Sequence, residues 1–308
     1  MLVSNLHEDR RFDVIKDRNG DYMSERLMGS GCEILLSDQP LKPINEIERS
    51  LITKYRKTIW RRFIKAVKEF NLVEEGDRIG VGVSGGKDSL LLCKLLQELQ
   101  KHGQVNFEIE YLAMNPGYFE ANEVSLKENC KHLEIPITYF NAEIFKVVDE
   151  ISNAYPCYLC AKMRRGTLYA KAQELGCNKL ALGHHFDDVI ETQLMNIFYA
   201  GMTQTMMPRL RSDNYEGLEL IRPLYYVRED DIKHYTKSTG IVPMNCGCVV
   251  AAKKTSSKRR EMKELIKTLK ETHPDVDKCI MSSAHNVNLN TIVGWKKDGK
   301  RSHFMDEY

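Results

Sequence analysis

The chain has 308 residues, 42% hydrophobic and 29% charged, which is the composition of a globular protein with one large domain plus additions or two modest domains. That length removes the need for a disulfide scaffold. No run reaches the roughly 20 apolar residues of a membrane span, and the charged start MLVSNLHEDRRFDVIKDRNGDY has no apolar signal core, so a cytoplasmic protein outside any membrane is expected. The net charge is only +2 but uneven: residues 251–301 hold 13 Lys and Arg against 6 Asp and Glu, a basic tail suited to a polyanion such as nucleic acid.

Residues 1–45 show no clear period and form an N-terminal extension. Ile52, Tyr55, Ile59, Phe63, Val67 and Phe70 recur at three- and four-residue steps and predict a helix over 47–70. GDRIGVGVS then reads as a buried strand, KDSLLLCKLLQELQKHG as a helix ending at Gly103, and FEIEYLAMN as a second strand. A helix over 120–133, the strand IPITYFN and the helix CAKMRRGTLYAKAQELG follow. NKLALGH is a fourth strand, DDVIETQLMNIFYAG a helix, and LELIRPL a fifth strand.

This alternation predicts an α/β domain over 46–240, a doubly wound, mostly parallel five-stranded sheet. Helical additions lie on either side, the later one being the cysteine-containing basic region 241–308. In such sheets ligands sit at the carboxyl ends of the strands, near the point where strand order reverses.

The segment GVGVSGGKDS (80–89) falls at such an end. A Walker loop would need glycine at position 81 and Ser or Thr after Lys87; Val81 and Asp88 stand there instead. Gly80, Gly82 and Gly85 match a dinucleotide fingerprint only formally, because Gly80 and Gly82 lie inside the strand and the second strand ends Ala113-Met114-Asn115 with no acidic residue. The remaining reading is a phosphate cradle. Gly85 and Gly86 let the backbone approach, Ser84, Ser89 and Lys87 offer donors, and a helix N-terminus adds its dipole. Asp88 makes sense there if it holds Mg²⁺ that in turn holds the phosphates.

After the fourth strand, GHHFDD places Gly183, His184, His185, Asp187 and Asp188 at one helix start. The carboxylates could share a metal or orient a base, and Asp187 could simply cap the helix. A zinc site on His184, His185 and Asp188 is disfavoured because adjacent histidines point apart. Of nine cysteines, Cys93, Cys130, Cys177 and Cys279 read as packing residues and Cys32 carries no reading. Cys157, Cys160, Cys246 and Cys248 have the short paired spacings of metal ligands.

The sequence SGGKDS after a first strand resembles the signature loop of the N-type ATP pyrophosphatases (PP-loop enzymes), which adenylate a substrate atom and release AMP and pyrophosphate overall. With EEGDRIGVGVSGGKDS, PCYLCAKMRRGTLYAKAQELGCNKLALGHHFDDVIETQLMNIFYAG, IRPLYYVREDDI and the stretch 243–246, the likeness narrows to the tRNA 2-thiocytidine synthetase (TtcA) and TtuA-like branch, over about residues 50–290. The resemblance implies ATP-dependent thiolation of a tRNA pyrimidine at C2, with anticodon-loop cytidine the first choice and 2-thiouridine synthesis or small-molecule sulfur transfer the alternatives.

It also implies a [4Fe–4S] cluster on Cys157, Cys160 and a later cysteine, with one iron left open for sulfide. Matching the C-G pair makes Cys246 that ligand; Cys248 could replace it, or join it and favour zinc. Asp187 or Asp188 would lie near the α-phosphate, Arg164 near cluster and phosphate, and Met114 at the adenine; Arg222 could contact nucleotide or RNA. Lys253, Lys254, Lys258, Arg259 and Arg260 are the tRNA-backbone candidates, with no aromatic residue interleaved for base stacking. A cysteine desulfurase or free sulfide as sulfur donor, and a homodimer, are the partners the resemblance suggests.

Overall fold

A computed structural model describes residues 39–118, 120–145, 147, 156–244 and 258–307. The predicted helix over 47–70 divides into α1 (Ile44–Ile52), a π-helical turn (Arg56–Trp60) and α2 (Arg61–Glu69). Tyr55, Ile59 and Phe63 are four residues apart, a spacing that drifts around a 3.6-residue helix. The wider turn, with Trp60 N donating to Tyr55 O, keeps all three buried on one face. The Tyr55 hydroxyl then bonds His234 Nδ1 (2.9 Å) and Ser238 Oγ (2.7 Å), which fixes this helical pair against the later helix Glu229–Thr239.

The central domain follows as β1 (Arg78–Gly82), α3 (Lys87–His102), β2 (Glu108–Asn115), α4 (Glu120–His132), β3 (Ile137–Asn141), α5 (Pro156–Glu174), β4 (Lys179–Ala181), α6 (Phe186–Ala200), β5 (Arg209–Arg211), β6 (Glu219–Ile221) and α7 (Glu229–Thr239). Strand order is β3-β2-β1-β4-β6-β5. The five expected strands are parallel, and β5 adds a sixth, antiparallel to β6 at the edge. Three residues, RLR, are too few to show alternation. Pairing with β6 and the contacts of Arg209 with Glu219 (2.7 Å) and Glu74 (2.9 Å) hold them in the sheet.

Ile79, Val81 and Val83 enter the main core with the apolar face of α3. Order reverses between β1 and β4, which opens a crevice at their carboxyl ends. Cys93, Cys130 and Cys177 are buried as expected, but Cys279 is exposed. It sits half a turn from Asp277 and Met281, the inward-facing residues of its helix.

Beyond α7, α8 (Lys258–Thr272) and α9 (Val276–Ser283) pack on α6. The C-terminal addition is not wholly helical: β7 (Gly294–Lys297) and β8 (Lys300–His303) form a hairpin, turned at Asp298-Gly299 with both residues at positive φ. Among the described residues no helix is long and apolar enough to cross a membrane.

The buried Asp277 ties α9 to the domain through Arg228 and to α8 through Lys270 (2.9 Å). Burial alone would raise its pKa, but these two cations outweigh that and hold it at about 2. A depressed carboxylate stabilises the fold at pH above its unfolded value near 3.8, and that stability is lost as pH falls through about 2. Asp277→Asn is therefore expected to cost about 2–4 kcal/mol at pH 7, because it takes the shared anion from two half-buried cations, and to flatten the loss of stability between pH 4 and 2. Urea unfolding of both proteins across that range is the check.

Candidate active site

The turn from β1 into α3 forms one wall of the crevice. Gly85 has φ +78°, and a Cβ there would lie 3.0 Å from Leu126 Cδ1 and 3.1 Å from Met244 Cβ. Gly86 caps α3 without a side-chain bond, so the first-turn amides remain available to an anion. Ser89 Oγ donates to Gly86 O (3.0 Å) and accepts from the Ser84 amide (3.2 Å), which sets both hydroxyls at the same turn. Met244 N donates to Gly85 O (2.9 Å), so the chain two residues before Cys246 is pinned to this loop.

The turn from β4 into α6 forms the facing wall, and the walls touch. A Cβ on Gly183 would lie 3.1 Å from the Asp88 carbonyl carbon and 3.2 Å from the Ser89 amide nitrogen. His185 caps α6: its Nδ1 accepts from Asp188 N (3.4 Å) while Asp188 Oδ2 accepts from His185 N (3.0 Å). With Nδ1 an acceptor, the neutral ring carries its proton on Nε2, 3.8 Å from Asp88 Oδ1. Asp88 Oδ1 is buried with no hydrogen-bond partner among the described residues. An anionic oxygen left so beside a phosphate cradle fits a cation.

His184 Nδ1 is likewise sealed off without a partner there. Burial pushes this imidazole down to about 4, against the attraction of Asp188, with Arg222 and Arg259 adding to the fall. It is neutral at pH 7. Burial would raise Asp188, yet His185, His184 and Arg259 together keep it below its ordinary value. Asp187 Oδ2 accepts from the Glu229 amide (2.7 Å) at the start of α7.

Lys87 reaches Asp88 Oδ2 (3.1 Å) and Glu229 Oε1 (3.3 Å). Burial opposes ionisation of Glu229, but Lys263, Lys87 and Lys233 hold it at about 2. Arg259 turns inward, away from the outer surface expected of an RNA contact: Nη1 meets Asp188 Oδ1 (2.8 Å) and Glu191 Oε2 (3.0 Å), and Nη2 donates to Thr192 Oγ1 (3.2 Å). Glu191, almost fully buried, is pushed up to about 7 by burial, partly countered by Arg259. Lys258 and Arg260 are exposed, and Lys258 Nζ lies 4.6 Å over the ring of Tyr199.

At the end of β2, Met114 is buried and packs in a small cluster with Ile144; Cys160 and Met163 of α5 lie against it. β2 runs three residues past its last pairing with β1, so Met114 borders the same crevice. Arg164 donates to the Tyr118 hydroxyl (3.2 Å) just beyond. Arg222 is buried at the end of β6, donates to Met207 O, and is pushed down to about 10 by burial and by Arg165. Cys157 and Cys160 stand three residues apart at the start of α5. The Cys157 side chain and all of Cys246, Cys248, Lys253 and Lys254 lie outside the described residues.

The two motif loops thus converge, as their positions after strands predict. Glu191, Glu229, Lys263, Tyr118 and Met244 were not singled out from sequence. Glu191 alone left a local trace, a carboxylate one helical turn beyond Asp187 and Asp188 among the apolar residues Val189 and Ile190.

The PP-loop domain family matches residues 55–243. A tRNA-cytidine(32) 2-sulfurtransferase of Geotalea uraniireducens is 40% identical over 248 residues, which cover 78% of this chain and 94% of that protein. One of the same description from Geotalea daltonii is 41% identical over 238 residues, 75% of this chain and 92% of the relative. Among solved structures, the U34-tRNA thiolase NcsA from Methanococcus maripaludis, described with its [4Fe-4S] cluster, superposes with TM-score 0.59 at 21% identity. The match covers 82% of this chain and 87% of that one, a likeness of fold.

Gly183→Ala tests the contact between the walls. The added methyl meets backbone rather than a movable side chain, so the turn must shift at a cost of about 1–3 kcal/mol. A fall in ATP affinity larger than the fall in melting temperature explains is the expected outcome, read by equilibrium titration and thermal unfolding.

Proposed function

The chain belongs to the PP-loop domain family and to its tRNA-cytidine 2-sulfurtransferase branch, and on that premise we propose that it thiolates cytidine in tRNA at C2 using ATP. The observation that carries this reading is the meeting of the Ser84–Ser89 and Gly183–Asp188 turns in one crevice, with the partnerless Asp88 oxygen between them.

In this reading Gly85, Gly86, Ser84, Ser89 and the α3 amides cradle the departing pyrophosphate, and Lys87 neutralises it. Asp88 and Asp187 hold Mg²⁺, while Asp188, with a donor on each oxygen, stays anionic and orients the nucleophile. Met114 and neutral His184 line the nucleoside end. The C2 oxygen of the base attacks the α-phosphorus and pyrophosphate leaves. Sulfur then forms the C2–S bond as the C2–O bond breaks, and the base oxygen departs in AMP. Cys157, Cys160 and Cys246 would hold a [4Fe–4S] cluster, which supplies an iron without a protein ligand as the place for the incoming sulfide. The apolar setting of Cys160 beside Met114 and Met163 and the pinning of Met244 on the cradle support that assignment. Arg164 lies one helical turn from Cys160 and donates to the Tyr118 hydroxyl.

Lys258 and Arg260, continuing the basic run from Lys253 and Lys254, are the proposed tRNA-backbone contacts. A desulfurase or sulfide as donor, a homodimer and a cytoplasmic location belong to the same proposal.

Mass spectrometry of tRNA nucleosides from cells lacking the protein is expected to show loss of 2-thiocytidine; intact 2-thiocytidine would overturn the reading. Asp88→Ala is expected to lower thiolation by about 100-fold or more in vitro. Anaerobically purified protein should hold about four irons per chain, lost in Cys160→Ser; stoichiometric zinc on four cysteines would instead favour a zinc-bound RNA module.

A further inference from the structure

We infer that α8 is a working part of the nucleotide site, with Arg259 the positioning residue for Asp188 and Lys263 the positioning residue for the Glu229–Lys87 pair. The inference rests on the nucleotide-site reading above. Arg259 and Lys263 are four residues apart and share one helix face. Arg259 binds the α6 wall at Asp188 (2.8 Å), Glu191 (3.0 Å) and Thr192 (3.2 Å). Lys263 binds Glu229, whose other oxygen holds Lys87 (3.3 Å) on the α3 wall. One face of one helix therefore reaches both walls of the crevice.

The contacts have a physical task. Asp88, Asp187, Asp188 and Glu191 gather in a small volume, and Asp188 accepts a donor on each oxygen, Arg259 on Oδ1 and the His185 amide on Oδ2. One guanidinium nitrogen bonds Asp188 and Glu191 together while the other donates to Thr192, and this planar, three-point grip fixes the carboxylate in direction as well as charge, which an ammonium would do less well. Glu229, gripped by Lys263 and Lys233, is a fixed anion that sets where Lys87 points. The same helix anchors the far end of the segment 245–257, which carries Cys246 and Cys248. Its near end is held by the Met244 bond to Gly85.

The test uses the full chain carrying Arg259→Met, Arg259→Lys or Lys263→Met, and Arg259→Met in an Asp188→Asn background. Measured are kcat and KM for ATP in tRNA-dependent AMP release, the Kd for ATP by titration, the Kd for tRNA, and the melting temperature. Arg259→Met is expected to lower kcat/KM for ATP by about 10–100-fold, with tRNA Kd changed by less than about twofold and partial rescue in Arg259→Lys. In the Asp188→Asn background the same change should add less than about threefold, since its effect passes through Asp188. Lys263→Met should raise the KM and Kd for ATP more than it lowers kcat. Weakened tRNA binding with unchanged ATP kinetics, or full multiplicative effects in the Asp188→Asn background, overturns the inference. Wild-type protein that binds ATP but releases no AMP would sink the thiolation reading instead. The ATP Kd then decides alone, and an Arg259→Met value within about twofold of wild type overturns the positioning role.

Discussion

The structure depends on the approach of the Gly183 turn to the backbone of Asp88 and Ser89, so close that a Cβ there would force the backbone to shift. Two strands that are neighbours in the sheet but about 100 residues apart in the chain end side by side there, because the order of connections reverses between β1 and β4. Each strand end delivers a helix N-terminus. With no Cβ between them, the start of α3 meets the cap of α6, and Asp88, Asp187 and Asp188 each come within 4 Å of the His185 ring. A bulkier residue at that one position would separate the donors of the cradle from the carboxylates that must act on what it holds.

The resulting crevice is an electrostatic compromise. A phosphate site lined by Asp88, Asp187, Asp188 and Glu191 would repel its own ligand unless cations intervene. Lys87 of α3 and Arg259 and Lys263 of α8 supply part of that charge from two elements, and one Asp88 oxygen has no hydrogen-bond partner among the described residues. Neutral His184 is consistent with this arrangement: a buried imidazolium there would carry a desolvation cost, and its proton is lost well below neutral pH. Positive charge is thus placed on the flanks, against the carboxylates that line the crevice.

Local segments were legible to different depths. SGGKDS and GHHFDD could be read because all their residues act within one turn, and glycine, serine and aspartate in that order have few other joint uses. The five parallel strands were legible from alternation and spacing. The π turn at Arg56–Trp60 was not, since four-residue spacing looks helical whichever way the turn is wound. The strand RLR was not, since three residues carry no period. Nor was the pairing of Lys258 with Tyr199. The basic stretch has no aromatic nearby in sequence, and the ring comes from the far end of α6. Arg259 looked like its neighbours in a basic run; its inward turn is set by carboxylates some 70 positions earlier.

By itself the sequence determined the order of the five parallel strands and the helices between them, the Gly- and Asp-containing loops at two strand ends, and the cysteines with the paired spacing of ligands. Each of these is written in contiguous residues whose backbone and donor chemistry act locally. Only the tertiary structure decided which charges face one another: Arg259 on Asp188 and Glu191, Lys263 on Glu229, Met244 on Gly85. Those partners are brought together by helix packing across the sheet, and a side chain's sign reveals nothing about the opposite charge that the packing will set against it.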